Sequence, residues 1–102
     1  MVLEVATITV TPGAEEAFLA SYRGARDVLA GTHGCRSVRM TRGVESPSTF
    51  VLLVEWDSVE AHEDNFRQTE RFTAWREAIG PHFAAPPHVE HYADVDGADV
   101  DA

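Results

Sequence analysis

The sequence predicts an α+β fold, a four-stranded antiparallel sheet with two helices on one face. Three observations predict it. Strand-like apolar runs and helical stretches follow one another in the order β-α-β-β-α-β. Right-handed crossovers close that order into one antiparallel sheet, the ferredoxin-like arrangement. The run Phe50-Val51-Leu52-Leu53-Val54 is apolar on both faces, the mark of a central strand covered on both sides. Two helices cover only one face, so a second copy of the sheet is the simplest cover for the other. Two sheets packed face to face would form a barrel shared by a dimer.

Each element has its own grounds. Residues 2–11, rich in Val, Ile and Thr, read as a strand closed by Thr11-Pro12-Gly13. Pro12 suits the first turn of a helix, and Glu15 and Glu16 suit the positive end of its dipole. Phe18, Tyr22, Ala25 and Leu29 mark one buried helical face, and Gly31 and Gly34 end it. A second strand, 35–44, carries Arg36, Arg39 and Arg42 as a solvated edge. Glu45-Ser46-Pro47-Ser48 turns it into the third strand, 49–56. Asp57 or Ser58 caps the second helix, with Glu60 placed for a capping box with Asp57. Phe66 and Phe72 are six residues apart and cannot share a stripe on a straight helix, which predicts a break near Gln68-Thr69. Phe72, Trp75 and Ile79 then return to core spacing, Gly80-Pro81 stops the helix, and Pro86-Pro87 leads into a last strand, 88–95. The domain is residues 1–95, and the acidic, glycine-containing 96–102 read as a flexible tail.

Composition excludes several function classes. At 102 residues and 44% hydrophobic, the chain makes one small globular domain. A small domain buries a low fraction of its surface, which favours self-association. A net charge of -9 argues against nucleic acid as a partner and against anionic membranes. No apolar run approaches the roughly 20 residues that span a bilayer. Met1-Val2-Leu3-Glu4 has no basic region before an apolar stretch, which argues against a signal peptide. Cys35 is the only cysteine, so neither an internal disulfide nor a multi-thiolate metal site is expected. These features read as a soluble cytoplasmic protein.

The junction of the third strand with the second helix holds the candidate chemistry. An apolar strand ends on Trp56, a capped helix starts at once, and His62 shares a helix face with Val59 and Phe66. That spacing turns the imidazole inward, either as a core histidine bonded to a carbonyl or as the best general base in the chain. Trp56 is either a core indole or a pocket wall, and its N–H needs a partner in both cases. Asn65 would orient a substrate oxygen or cap the helix break. Phe66, Phe72, Trp75 and Tyr22 are the remaining aromatic candidates for a binding wall. His91 shares a strand face with Val89 and Ala93 and would bond across the dimer interface if that face is the barrel interior. His82 and His88 flank the Pro-Pro loop as solvated residues. His88 and His91, three apart on a strand, point to opposite faces and do not make a metal site. No metal and no cofactor are expected.

The chain resembles the antibiotic biosynthesis monooxygenase family of dimeric α+β barrels. The likeness lies in the strand ending at Trp56, then Asp57-Ser58-x-Glu60-Ala61-His62, Asn65-Phe66, Phe72 and Trp75. Pro81, Phe83, Pro86-Pro87 and Val89-Glu90-His91-Tyr92 extend it. The resemblance implies the barrel fold and a homodimer, while the reaction varies within the family. Its heme-degrading members place an asparagine on the first strand, a tryptophan on the second helix and an iron-ligating histidine beyond the position of Phe72. Here those positions hold Ala6 or Thr7, Asn65 or Phe66, and Arg76, so heme degradation is disfavoured. Its polyketide-tailoring members place a tryptophan at the position of Trp56 and a proton-handling residue where His62 stands; a polar residue sometimes found on their third strand is Leu52 here. The resemblance therefore implies a cofactor-free monooxygenase acting with O2 on an electron-rich aromatic such as an anthrone or polyphenol. A non-catalytic small-molecule-binding or stress-related dimer and a cofactor-free isomerase or decarboxylase remain alternatives.

Overall fold

The computed structural model describes all 102 residues. Strand β1, Val2–Thr9, alternates strictly: Glu4, Ala6 and Ile8 are buried while Thr7 and Thr9 are exposed. Helix α1 spans Glu15–Ala30, β2 Cys35–Arg42 and β3 Thr49–Trp56. A short helix α2, Val59–His62, runs through one π-type turn, Glu63–Arg67, to α3, Glu70–Ile79, and β4 is His88–Tyr92. The sheet is antiparallel in the order β2-β3-β1-β4, which makes β3 and β1 central and β2 an edge, as the sequence predicts.

Alternation decides the layers. Phe50, Leu52, Val54 and Trp56 of β3 pack with Ala6 and Ile8 of β1 against Phe18, Tyr22, Ala25 and Leu29 of α1 and Trp75 and Ile79 of α3. The other face of the two central strands carries Leu3, Val5, Val51 and Leu53, all half-buried, with no helix over it.

The helix break falls where the aromatic spacing predicts it. The turn before Gln68 widens, with Gln68 N–H donating to Glu63 C=O, and Thr69 caps α3 by accepting from Arg71 N–H at 3.2 Å. One inserted residue of a π-type turn re-phases the helix, so Phe66 and Phe72 face one another edge-on, centroids 5.8 Å apart.

Five details differ from the sequence reading, the first being that β1 stops at Thr9 rather than running to residue 11. Helix α1 starts at Glu15 and not at Pro12, because Gly13 takes φ +95 and its N–H donates to Glu15 Oε1 at 2.8 Å. Ser58 caps α2, accepting from Ala61 N–H at 3.0 Å. The expected Asp57–Glu60 capping box does not form, since Asp57 pairs with Arg36 instead, Oδ1 to Nε at 2.6 Å. Strand β2 stops at Arg42, where Gly43 N–H turns back to Thr49 C=O at 2.7 Å. Strand β4 stops at Tyr92, which pairs with Leu3; beyond it the start of β1 leaves almost no strand to pair with.

Candidate functional site

The end of the sheet nearest α2 gathers three titratable side chains that are far apart in sequence. Glu4 sits on the inward side of β1, and the register places His91 of β4 directly across from it. Ser58 starts α2 just after β3, so His62, one turn into the helix, lies over both. Glu4 is 6% exposed and His62 2%. Trp56 Nε1–H donates to Glu4 Oε1 at 2.9 Å, and the same oxygen lies 3.3 Å from His62 Nε2. His62 Nδ1 lies 2.7 Å from His91 Nε2. The His62 ring stacks on Trp56, centroids 4.8 Å apart and 17° between planes, and lies 6.1 Å from Phe66.

The environments of the two buried groups push them in opposite directions. Burial raises the Glu4 carboxyl above its ordinary range, outweighing the Trp56 hydrogen bond and the Arg67 charge that lower it. Burial holds His62 down to about 4, helped by His91 and Arg67. The contact between them meets the distance criterion of a salt bridge, yet 3.3 Å exceeds the 2.7–2.9 Å of a charge-assisted N–H···O bond. A neutral imidazole beside a carboxyl that burial pushes towards its protonated form fits both the distance and the shifts.

Beside this group opens a cavity of about 1190 Å³ between the sheet, α3 and the 80–87 segment. Glu4 and His62 stand on its wall, and Phe66, Phe72, Trp75 and Phe83 supply aromatic surface. The lining is aromatic and apolar on one side, with Arg67, Thr73, Arg76 and Glu77 adding polar groups, a mixture that suits a small-molecule site.

The candidates read from sequence fall in different places. His62, Phe66, Phe72 and Trp75 line the cavity. Trp56 lies behind the His62 ring, fully buried, and reaches the site through Glu4. Tyr22 meets Trp75 edge-on from the far side, centroids 6.0 Å apart, and faces a separate groove beside β2. Asn65 is turned from the cavity; its Nδ2–H donates to His33 C=O at 2.8 Å and ties the α1–β2 loop to the π-type turn. His91 faces the helices rather than the open sheet face, so its partner is His62 of the same chain and not a residue across an interface. His82 is half-buried and not solvated, with Nε2 3.0 Å from Ser21 Oγ.

Glu4 is the residue the sequence reading passed over. Its signal was present: Ala6 and Ile8 share its strand face while Thr7 and Thr9 lie opposite, which already puts its carboxyl inside.

One combination has the composition of a transition-metal site. One ring nitrogen each of His62 and His91 and a Glu63 carboxylate oxygen lie within 4.8 Å of one another. Nitrogens bound at about 2.0–2.1 Å to one tetrahedral ion stand roughly 3.3 Å apart. The two imidazole nitrogens are 2.7 Å apart, which is the spacing of a hydrogen bond.

Comparison with known proteins agrees with this fold. The model of the family described as "Antibiotic biosynthesis monooxygenase" matches residues 1–78. The chain belongs to that family. A Bordetella bronchiseptica protein of known structure, provisionally described as an antibiotic biosynthesis monooxygenase, shares 38% identity at TM-score 0.88, over 92% of this chain and 96% of its own. A provisionally described Caulobacter crescentus member shares 26% at TM-score 0.79, over 93% of this chain and 90% of its own. The uncharacterised Bacillus subtilis protein YczJ is 30% identical over 95 residues, 93% of this chain and the whole of that protein. Family membership supports a monooxygenase-like function in general terms. No helix is long and apolar enough to cross a membrane.

Proposed function

We propose that this family member is a cofactor-free monooxygenase that oxidises an electron-rich aromatic, an anthrone or polyphenol, with O2. One observation carries the reading: a buried imidazole, neutral at pH 7, on the wall of an aromatic-lined cavity. An activated aromatic needs little from the protein. A base removes its acidic proton, the anion passes an electron to O2, and a dry wall keeps water from the intermediate.

His62 is the base, acting through Nε2, the nitrogen on the Glu4 side. For Nε2 to carry the lone pair, Nδ1 must hold the ring proton and donate it to His91 Nε2, 2.7 Å away. A base near 4 is weak. Deprotonating a phenol near ~10 with it is uphill by roughly 8 kcal/mol at 1.36 kcal/mol per pKa unit. This favours substrates whose anion is spread over a fused ring system that the pocket can hold, such as anthrones and enolised polyketides. Phe66, Phe72 and Trp75 hold the flat ring system, and the volume is large enough for three fused rings.

The active unit is a homodimer, with the open sheet faces of two protomers meeting over Leu3, Val5, Val51 and Leu53. These side chains are half-buried in one protomer and have no cover of their own.

Oxygen uptake by the metal- and flavin-free protein tests the reading, with an anthrone and polyphenols as substrates and spontaneous oxidation subtracted. The expected result is protein-dependent O2 consumption that falls about 10²-fold or more in His62→Ala. Stoichiometric binding of the aromatic with no uptake would instead favour a non-catalytic binding protein. Turnover without O2 would favour an isomerase or decarboxylase.

A further inference from the structure

We infer that Glu4 is the general acid of this site, protonating the peroxide formed when the substrate anion combines with O2. The inference rests on the oxygenase reading above and adds the second half of its proton chemistry. It starts from placement. Glu4 is buried on the cavity wall, its Oε1 3.3 Å from the base and held by the Trp56 indole N–H. The carboxyl that satisfies the buried indole also sits on the cavity wall, where a reacting oxygen would lie within reach of both it and His62. When two neighbouring groups are driven apart in proton affinity by their surroundings, one takes up the role of acid and the other of base. Here the carboxyl is driven towards its protonated form and the imidazole towards its neutral one. The charged and titratable groups around Glu4 are His62, Arg67 and Glu63, with Cys35 close enough to feel its charge and His91 opposite it on β4.

The oxidation of an anthrone CH2 to a carbonyl shows why one base is not enough. His62 Nε2 takes the first C–H proton, and the carbanion transfers an electron to O2; collapse of the radical pair forms the C–O bond of a peroxide anion. Glu4 gives its proton to the terminal oxygen, leaving a hydroperoxide and a Glu4 carboxylate. That carboxylate removes the second C–H proton as the O–O bond breaks. The C–H electron pair becomes the C=O π bond, and hydroxide leaves. The His62 imidazolium protonates the hydroxide to water. The sum is CH2 + O2 → C=O + H2O, with both side chains returned to their starting forms.

The test compares the wild-type protein, Glu4→Gln and Trp56→Phe with an anthrone, following O2 consumed, quinone formed and peroxide released. Glu4→Gln keeps the shape and the Trp56 hydrogen bond but lacks the proton. It should still consume O2, release peroxide, and form quinone about 10²-fold more slowly. Trp56→Phe removes the indole N–H that holds the carboxyl without removing the acid, and should lower quinone formed per O2 by at most about tenfold, well short of the loss in Glu4→Gln. Coupled turnover in Glu4→Gln, or equal uncoupling in both variants, would overturn the assignment; O2 uptake by the wild type keeps that failure separate from failure of the oxygenase reading. Should Glu4→Gln fail to fold, infrared spectra of the wild type decide: the inference requires a protonated-carboxyl stretch at pH 7 that disappears in Glu4→Asp or shifts with it. Absence of that band at pH 7 overturns it.

Discussion

Burial, more than any neighbouring charge, sets the state of His62, and the consequence reaches stability as well as chemistry. An unfolded histidine titrates near ~6.5, while the folded one is held down to about 4. Between those values the unfolded chain takes a proton that the folded chain refuses. The His62 contribution is therefore present above ~6.5 and is lost as pH falls towards 4. The full shift corresponds to about 3 kcal/mol, and relaxation of the site around a charged imidazole brings the expectation to about 2 kcal/mol. Glu4 has the opposite sign: its raised folded value gives stability at low pH that is lost as pH rises. The measurement that isolates His62 is the difference in urea-unfolding free energy between wild type and His62→Gln from pH 7 to pH 4. That difference should shrink by about 2 kcal/mol on acidification; parallel curves would contradict a neutral buried imidazole. Asn65 acts through the backbone: its amide holds the His33 carbonyl at 2.8 Å, and Asn65→Ala should cost about 1 kcal/mol in the same assay. At this scale the inward imidazole was legible from helical spacing to Phe66. The His62–His91 bond was not, because which face of β4 meets the helices depends on its pairing with β1.

At the scale of elements, spacing and turn chemistry were more informative than exact caps. Aromatic residues six apart predicted the break that the π-type turn and the Thr69 cap deliver. Two candidate caps stood side by side, and a tertiary ion pair chose between them, drawing Asp57 to Arg36 and leaving Ser58 to the helix. No local pattern reveals a partner on another strand. The α1–β2 connection shows how tightly the site's scaffold is built. Gly34 takes φ +92, and a Cβ there would stand 2.7 Å from the Ala61 Cβ on α2. Gly34→Ala combines left-handed strain with overpacking against the helix that carries His62, and should cost about 2–4 kcal/mol. A thermal melt unchanged by that substitution would mean the loop packs elsewhere.

For the whole molecule, the open sheet face is the feature that the monomer leaves unexplained. The sequence showed that β3 is apolar on both sides but not which alternating set faces outward. The burial pattern answers it: Leu52 and Val54 are buried under the helices, while Val51 and Leu53 face away. If two sheets meet there, Val51→Glu or Leu53→Glu should convert a dimer to a folded monomer, since the substituted side chains lie outside the helix-packed core. Light scattering and circular dichroism on the same samples check this; a monomeric wild type at micromolar concentration would end the dimer proposal. Residues 93–102 are exposed and belong to no strand or helix. Truncation after Val95 should leave the melting temperature within about 1 °C, because the removed segment buries too little to offset its ordering entropy.

The most direct measurement for the account as a whole follows the oxygen atoms. Metal- and flavin-free protein turns over an anthrone under 18O2, and mass spectrometry reads the quinone formed, with His62→Gln as the background. Cofactor-free monooxygenation predicts one 18O in the new carbonyl and the second in water, at a rate the variant does not approach. Quinone carrying oxygen from solvent, or labelled product formed equally by His62→Gln, would contradict it.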